Sequence, residues 1–123
     1  MAFNHTKLAV YQHSLDGLEL CDRICNELPT GRRNVRDQMD RAATSVVAKI
    51  AEGAGEFSPR EKARFYRMAC RSAVEVAAWL DVCLRRKEAD LATAHAALSL
   101  YDEITAMLVS LSKRSKGRGV GRG

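Results

Sequence analysis

The sequence has few of the residues that interrupt helices or favour strands. Only two prolines occur, Pro29 and Pro59, and aromatic residues make up 6% of the 123 positions. Proline ends or bends a helix, whereas aromatic and β-branched residues are enriched in strands. Because alanine and leucine are plentiful and strand-like runs are few, the composition predicts an all-α protein. The length suits one domain with one core.

Long apolar runs are also missing. No stretch of about 18 apolar residues occurs, so the sequence predicts no transmembrane helix and no membrane partner. The first 17 residues are interrupted by polar side chains, which is not typical of a signal peptide. We therefore expect a cytoplasmic protein whose four cysteines are thiols.

The residue types that hold metals or act as nucleophiles form no recognisable pattern. There is no Cys-x-x-Cys motif and no His or Glu-His pair at metal-binding spacing, and the three histidines are isolated. Gly53 and Gly55 follow a predicted helix and are too close together for a phosphate-binding loop. We expect neither enzymatic activity nor a cofactor, because no candidate catalytic group is evident.

Four segments repeat apolar residues in steps of three and four, the spacing of one helix face. The predicted helices cover roughly residues 7–28, 34–54, 59–86 and 89–112. Asn34 is a candidate N-cap, and Ser58 followed by Pro59 and Glu61 is the clearest helix start. Short turns between such segments predict an antiparallel up-down-up-down four-helix bundle over residues 1–112. Residues 113–123 are basic and glycine-rich, and we expect them to form a disordered tail.

The second predicted helix has two distinct faces. Its core-facing stripe consists of five apolar residues: Met39, Ala43, Val46, Ile50 and Ala54. The opposite face is narrow and made of small or charged residues: Arg41, Ser45, Ala48 and Glu52. Small residues let a second backbone approach, and Glu75 is a plausible partner for Arg41. The face is therefore predicted to contact another helix or subunit, with a simple solvated face as the alternative.

The same stretch carries a resemblance to a known family. Gln38, the Arg41-Ala42-Ala43 step, Ser45 and the string Ile50-Ala51-Glu52-Gly53 resemble the signature of the four-helix-bundle proteins of 23S rRNA intervening sequences. Five later positions continue the match: Ser58, Phe65, Ala69, Ser72 and Glu75. Two positions depart from the family pattern, since Lys49 replaces an expected Asn and Arg71 an expected Gly.

The resemblance implies a fold, an assembly and partners. The family is similar to the accessory variability proteins of diversity-generating retroelements, which are homopentameric bundles that bind a reverse transcriptase and nucleic acid. By that similarity we expect a cyclic homo-oligomer, most simply a pentamer, with RNA or DNA and a reverse transcriptase as partners. The family has no agreed enzymatic activity.

A basic stripe on the third predicted helix points to phosphate binding. Arg60, Arg64, Arg67 and Arg71 fall on one face over about three turns, and arginine contacts phosphate in bidentate fashion. Cations near the C-terminus would add to it: Lys113, Arg114, Lys116 and Arg118. A merely solubilising surface, or a surface for an acidic protein, are the alternatives. The sequence therefore leaves two functions open, a nucleic-acid-binding bundle and a protein-interaction scaffold.

Overall fold

The computed structural model describes the backbone of residues 4–121 and the side chains of residues 5–115. A single turn of 3-10 helix at Asn4–Lys7 precedes four long helices. These are α1 (Ala9–Glu27), α2 (Arg33–Gly55), α3 (Pro59–Arg85) and α4 (Leu91–Gly121). No strand occurs in the described range, which confirms the predicted all-α class.

The helices form a four-helix bundle. Each helix packs against the next one in the chain, and α1 closes the bundle against α4. The diagonal pairs, α1 with α3 and α2 with α4, have no Cα atoms within 8 Å of each other in the described residues. Short loops join helices that run in opposite directions, as predicted. In the part of the chain that the structure describes, no helix has both the length and the apolar character needed to cross a membrane.

The core is built from the predicted face of α2 and its counterparts. Met39, Ala43, Val46, Ile50 and Ala54 are all buried, so the apolar stripe of α2 is confirmed. Helical spacing along α3 predicts Phe65 as a core residue, but the structure buries its neighbour Tyr66 instead. Phe65 is only partly buried and has Arg64 and Lys49 over its ring.

Two glycines provide space for buried tyrosine rings. A Cβ at Gly17 of α1 would lie 2.7 Å from the Tyr101 ring of α4, and one at Gly53 of α2 would lie 2.8 Å from the Tyr66 ring of α3. Such distances are too short for any side chain, so each glycine lets its helix approach an aromatic residue closely. The glycines of the Gly53-Ala54-Gly55 string also predict a helix stop, and α2 ends there, at Gly55.

The predicted start of α3 agrees with the structure, whereas the predicted start of α2 and the predicted end of α4 do not. Ser58 caps α3 by accepting a hydrogen bond from the Glu61 backbone N–H, as predicted. Asn34 was the wrong N-cap, since α2 begins at Arg33 with Arg32 in the cap position. Helix α4 continues to Gly121, beyond the predicted end at Ser112, and the buried Ser115 extends its core-facing seam by one turn. The division of the chain at residue 112 stays a prediction.

Candidate nucleic-acid interface

The first half of α3 presents the predicted arginine stripe to solvent. The Ser58 cap and Pro59 fix where the helix starts. Ala63, Tyr66 and Ala69 are then buried in the core. The four arginines occupy the outward side and are all exposed. We call them the arginine face: Arg60, Arg64, Arg67 and Arg71.

Three members of the arginine face have unused hydrogen-bonding capacity. Arg60, Arg67 and Arg71 make no hydrogen bond or ion pair with the described residues, so their guanidinium groups are free to meet an anion. Arg64 differs, because its Nε donates to the Glu61 carboxylate and its guanidinium lies 4.9 Å from the centre of the Phe65 ring. The hydrogen bond that Arg64 donates to Glu61 raises the pKa of Arg64 above its ordinary value. Arg64 therefore keeps its charge but offers fewer free donors than its neighbours.

The C-terminal part of α4 brings further cations to this end of the bundle. Because α3 and α4 are antiparallel, exposed Lys113 borders the same surface as Arg67 and Arg71. Arg114, also exposed, lies near Tyr66 and beside Leu8 and Leu111 at the edge between α4 and α1. The predicted contacts Lys116 and Arg118 lie outside the described side chains.

An apolar groove runs between α3 and α4 beside these cations. Its volume is about 440 Å³, and we call it the α3–α4 groove. Val74 of α3 and Val109 of α4 are 57% and 43% exposed along it. The residues that line it are Arg67, Cys70, Arg71, Val74, Val109, Ser112 and Lys113. Sequence analysis missed the groove, although Val74 continues the arginine face at the next helical step after Arg71.

One buried hydroxyl at the groove lacks a partner. Ser112 lines the groove and is 9% exposed, and its Oγ accepts or donates no hydrogen bond in the described part of the molecule. Most buried polar groups in proteins are hydrogen-bonded, so an unpaired hydroxyl requires an explanation.

The polar face of α2 meets α3 in part. Ser45 Oγ and Ser72 Oγ are 2.9 Å apart, and an Arg41 nitrogen lies 3.9 Å from the Glu75 carboxylate. Glu75 also accepts a hydrogen bond of 3.3 Å from the Trp79 indole. These contacts join the predicted residues Arg41, Ser45 and Glu75 across one helix pair.

The other two predicted contact residues of α2 are not joined to α3. Ala48 is exposed, and Glu52 forms an exposed ion pair of 3.3 Å with Lys49 on its own helix. Lys49, at the position where the family resemblance leads one to expect Asn, also lies 5.6 Å from the Phe65 ring. Ala48 and Glu52 therefore remain available on the surface of the single chain.

Lys62 stands apart from the arginine face although it lies next to it in sequence. Its Nζ donates hydrogen bonds of 3.1 Å to the Gly53 carbonyl and 3.0 Å to the Ala54 carbonyl. Unpaired carbonyls at a helix C-terminus attract cations, so Lys62 caps α2. Lys62 thus belongs to the helix packing and not to the solvent-exposed charge.

The charge on the surface is distributed unevenly. The outward side of α1 carries the exposed acidic residues Asp16, Glu19 and Asp22, and α1 lies diagonally across the bundle from α3. A polyanion is therefore attracted to the α3 side and repelled from the α1 side. Such asymmetry orients an approaching charged ligand.

The cysteines are protected from ionisation. Burial raises the pKa of Cys21 to about 12 and that of Cys25 to about 11, so both remain thiols at neutral pH. Thiols react as nucleophiles and bind metals in their ionised form. No group of three or more His, Cys, Asp or Glu side chains in the described range is arranged to hold a metal ion.

Comparisons with known proteins place the chain in a family. A search of curated proteins gives no match. The model of the 23S rRNA-intervening sequence protein family, in contrast, matches residues 6–110, which include α1, α2, α3 and most of α4. The protein described here, with its four-helix bundle and its signature on α2, belongs to the 23S rRNA-intervening sequence protein family.

Proposed function

We propose that this protein binds RNA or DNA without catalysing a reaction, by holding the phosphate backbone on the arginine face and on Lys113 and Arg114. The observation that carries the proposal is the set of exposed arginines on α3 that have no hydrogen bond or ion pair with other described residues, Arg60, Arg67 and Arg71. Arginine stays charged and donates paired hydrogen bonds to phosphate oxygens. Such contacts position a nucleic acid but do not read its sequence.

We further propose that the chain works as a cyclic homo-oligomer, most simply a pentamer, and that it serves as an accessory to a reverse transcriptase. The resemblance on α2 supports the fivefold order and the enzyme partner. Phe57 is fully exposed in the loop between α2 and α3, and Ala48 and Glu52 are also exposed, which supports a surface for another protein chain. A ring would repeat the arginine face and convert weak phosphate contacts into tight binding.

The alternative is a protein-interaction scaffold with no direct role in nucleic-acid binding. The exposed apolar side chains support it: Phe57, Val74, Leu91 and Val109. Phosphate binding and apolar docking respond differently to salt. Counterion release makes phosphate binding weaken steeply as salt rises.

Replacing the four arginines of the arginine face together by glutamine tests the proposal. We expect the variant to keep its melting temperature, because exposed substitutions usually change stability by less than about 0.5 kcal/mol each. Its affinity for labelled RNA and DNA oligonucleotides should fall sharply. The slope of log affinity against log salt should decrease by about one unit for each lost phosphate contact.

The matched control is a variant in which four other exposed arginines, outside the arginine face, are replaced by glutamine. Arg23, Arg33, Arg85 and Arg86 are also exposed, and changing them to glutamine should leave most of the binding intact. Equal binding by wild type and the arginine-face variant at low salt would refute the proposal and favour the scaffold.

Mass measurement in solution tests the assembly, and a monomer at micromolar concentration would contradict the ring.

A further inference from the structure

The α3–α4 groove places an apolar floor directly beside free cations. Val74 and Val109 supply exposed aliphatic surface from two helices, while Arg67, Arg71 and Lys113 border the same space. The two valines thus form a small apolar patch that is bordered by cations. A ligand that is complementary to this surface has a negative charge and an apolar face close to each other.

Nucleic acids have both features, but only single strands expose them together. In a duplex the faces of the bases are stacked on one another, so a protein reaches the phosphates, the sugars and the base edges but not the apolar base faces. In a single strand the bases can leave the stack and lie against aromatic, apolar or arginine side chains. An apolar groove among phosphate-binding cations therefore discriminates in favour of single strands.

We propose that the α3–α4 groove receives one unstacked base of a single-stranded nucleic acid whose phosphates lie on Arg67, Arg71 and Lys113. This inference rests on the proposed function and specifies its substrate class. Arg67 and Arg71 are one helical turn apart, about 6 Å along the axis, so they can contact neighbouring phosphates of one strand. Val74 and Val109 cover the faces of the base from opposite walls.

The size and polarity of the groove are consistent with this occupant. Its volume of about 440 Å³ lies within the range of small-ligand sites and leaves room for a base and part of its sugar. Ser112 also lines the groove, and its buried hydroxyl, which has no hydrogen-bond partner among the described residues, can both donate and accept. Cys70 completes the floor and stays a neutral thiol, because burial raises its pKa.

A second copy of this chain is the rival occupant. An apolar groove can also be covered by a neighbouring subunit, and the assembly proposed above makes that explanation reasonable. The two possible occupants predict different effects of a substitution in the groove. Loss of a base site alters the preference for single strands, whereas loss of a subunit contact alters the mass in solution.

The test compares single-stranded and duplex probes on the full chain. Fluorescein-labelled 12-nucleotide U and A RNAs, the corresponding DNAs and a 12-base-pair duplex are titrated at low salt and followed by anisotropy. We expect wild type to bind the single strands at least tenfold more tightly than the duplex. The double variant Val74→Ser, Val109→Ser should lose at least fivefold of its single-strand affinity and keep its duplex affinity within twofold.

The control removes one exposed apolar side chain at the other end of α4. Leu91 is 65% exposed at the start of α4, 18 residues before Val109, and the variant Leu91→Ser should bind like wild type. The milder variant Val74→Ala, Val109→Ala replaces the serine variant if circular dichroism shows lost helix. It should reduce the single-strand preference in the same direction.

Several results would overturn the inference. If wild type binds duplex and single strands equally well, or if the valine variant keeps the full preference, the groove holds no base. In either case binding that still depends on the arginine face leaves the proposed function standing. A smaller mass for the valine variant assigns the groove to a second copy instead. Absence of binding to every probe overturns this inference and the proposed function together.

Discussion

Helix α3 packs against α2 on one side and α4 on the other, and the two seams differ in how completely they are filled. On the α2 side Tyr66 fills the space above Gly53, and Ser45 and Ser72 satisfy each other. On the α4 side the surface stays open between Val74 and Val109, and the nearby Ser112 hydroxyl has no partner. The same helix therefore has one closed seam and one open seam.

Residue size explains part of the difference. The closed seam pairs small residues with large ones, so the helices approach closely and polar groups reach each other. The open seam has cations and valines at its outer edge, and the space that they border is the α3–α4 groove. A seam that is closed contributes stability, whereas an open seam beside free charge is available to a ligand.

The largest expected effect comes from breaking the core next to the closed seam. Val46 is completely buried on α2, so Val46→Asp would place an unpaired charge among apolar side chains. We expect a loss of several kcal/mol in unfolding free energy or failure to fold, measured by denaturant titration. Thr44→Asp, at an exposed position two residues earlier on α2, is the control and should change stability by no more than about 0.5 kcal/mol. Equal midpoints for Val46→Asp and wild type would show that the core face of α2 is wrongly assigned.

A moderate effect is expected where Tyr66 contacts Gly53. Alanine normally stabilises a helix over glycine by about 1 kcal/mol, but a Cβ at position 53 would lie 2.8 Å from the Tyr66 ring. Overpacking a core costs about 1–3 kcal/mol, so Gly53→Ala should lower the melting temperature. Gly55→Ala is the matched control, because nothing lies within 4 Å of its added Cβ, and it should be neutral or stabilising. Similar results for the two alanine variants would remove Gly53 from the closed seam.

Sequence patterns predicted the interior of the bundle better than its surface. Helical periodicity identified all five buried positions on the apolar stripe of α2, and charge complementarity suggested the contact of Arg41 with Glu75. The same periodicity could not separate Phe65 from Tyr66, because they lie four and three residues before Ala69 and both steps fit one helix face. The choice depends on the space that Gly53 leaves on the neighbouring helix.

The surface of the candidate site was predictable only where it lies on one helix. The arginine face follows from spacing along α3 alone, and the structure shows its members exposed. The α3–α4 groove depends on how two helices separate, and its valines are 35 positions apart in the sequence. The unpaired Ser112 hydroxyl depends on its surroundings, which no local pattern records.

The smallest expected effect compares one serine from each seam. Ser45 is hydrogen-bonded to Ser72 at 2.9 Å, whereas the Ser112 hydroxyl is buried without a partner. A typical intramolecular hydrogen bond contributes about 1 kcal/mol, so Ser45→Ala should destabilise the protein by about that amount. Ser112→Ala removes a hydroxyl that is buried at a cost, and alanine is the better helix former. We therefore expect Ser112→Ala to leave the unfolding free energy unchanged or to raise it by up to about 1 kcal/mol. Denaturant titration of both variants under one set of conditions measures the contrast. A larger loss at Ser112 than at Ser45 would mean that the hydroxyl of the open seam is already satisfied within the folded protein.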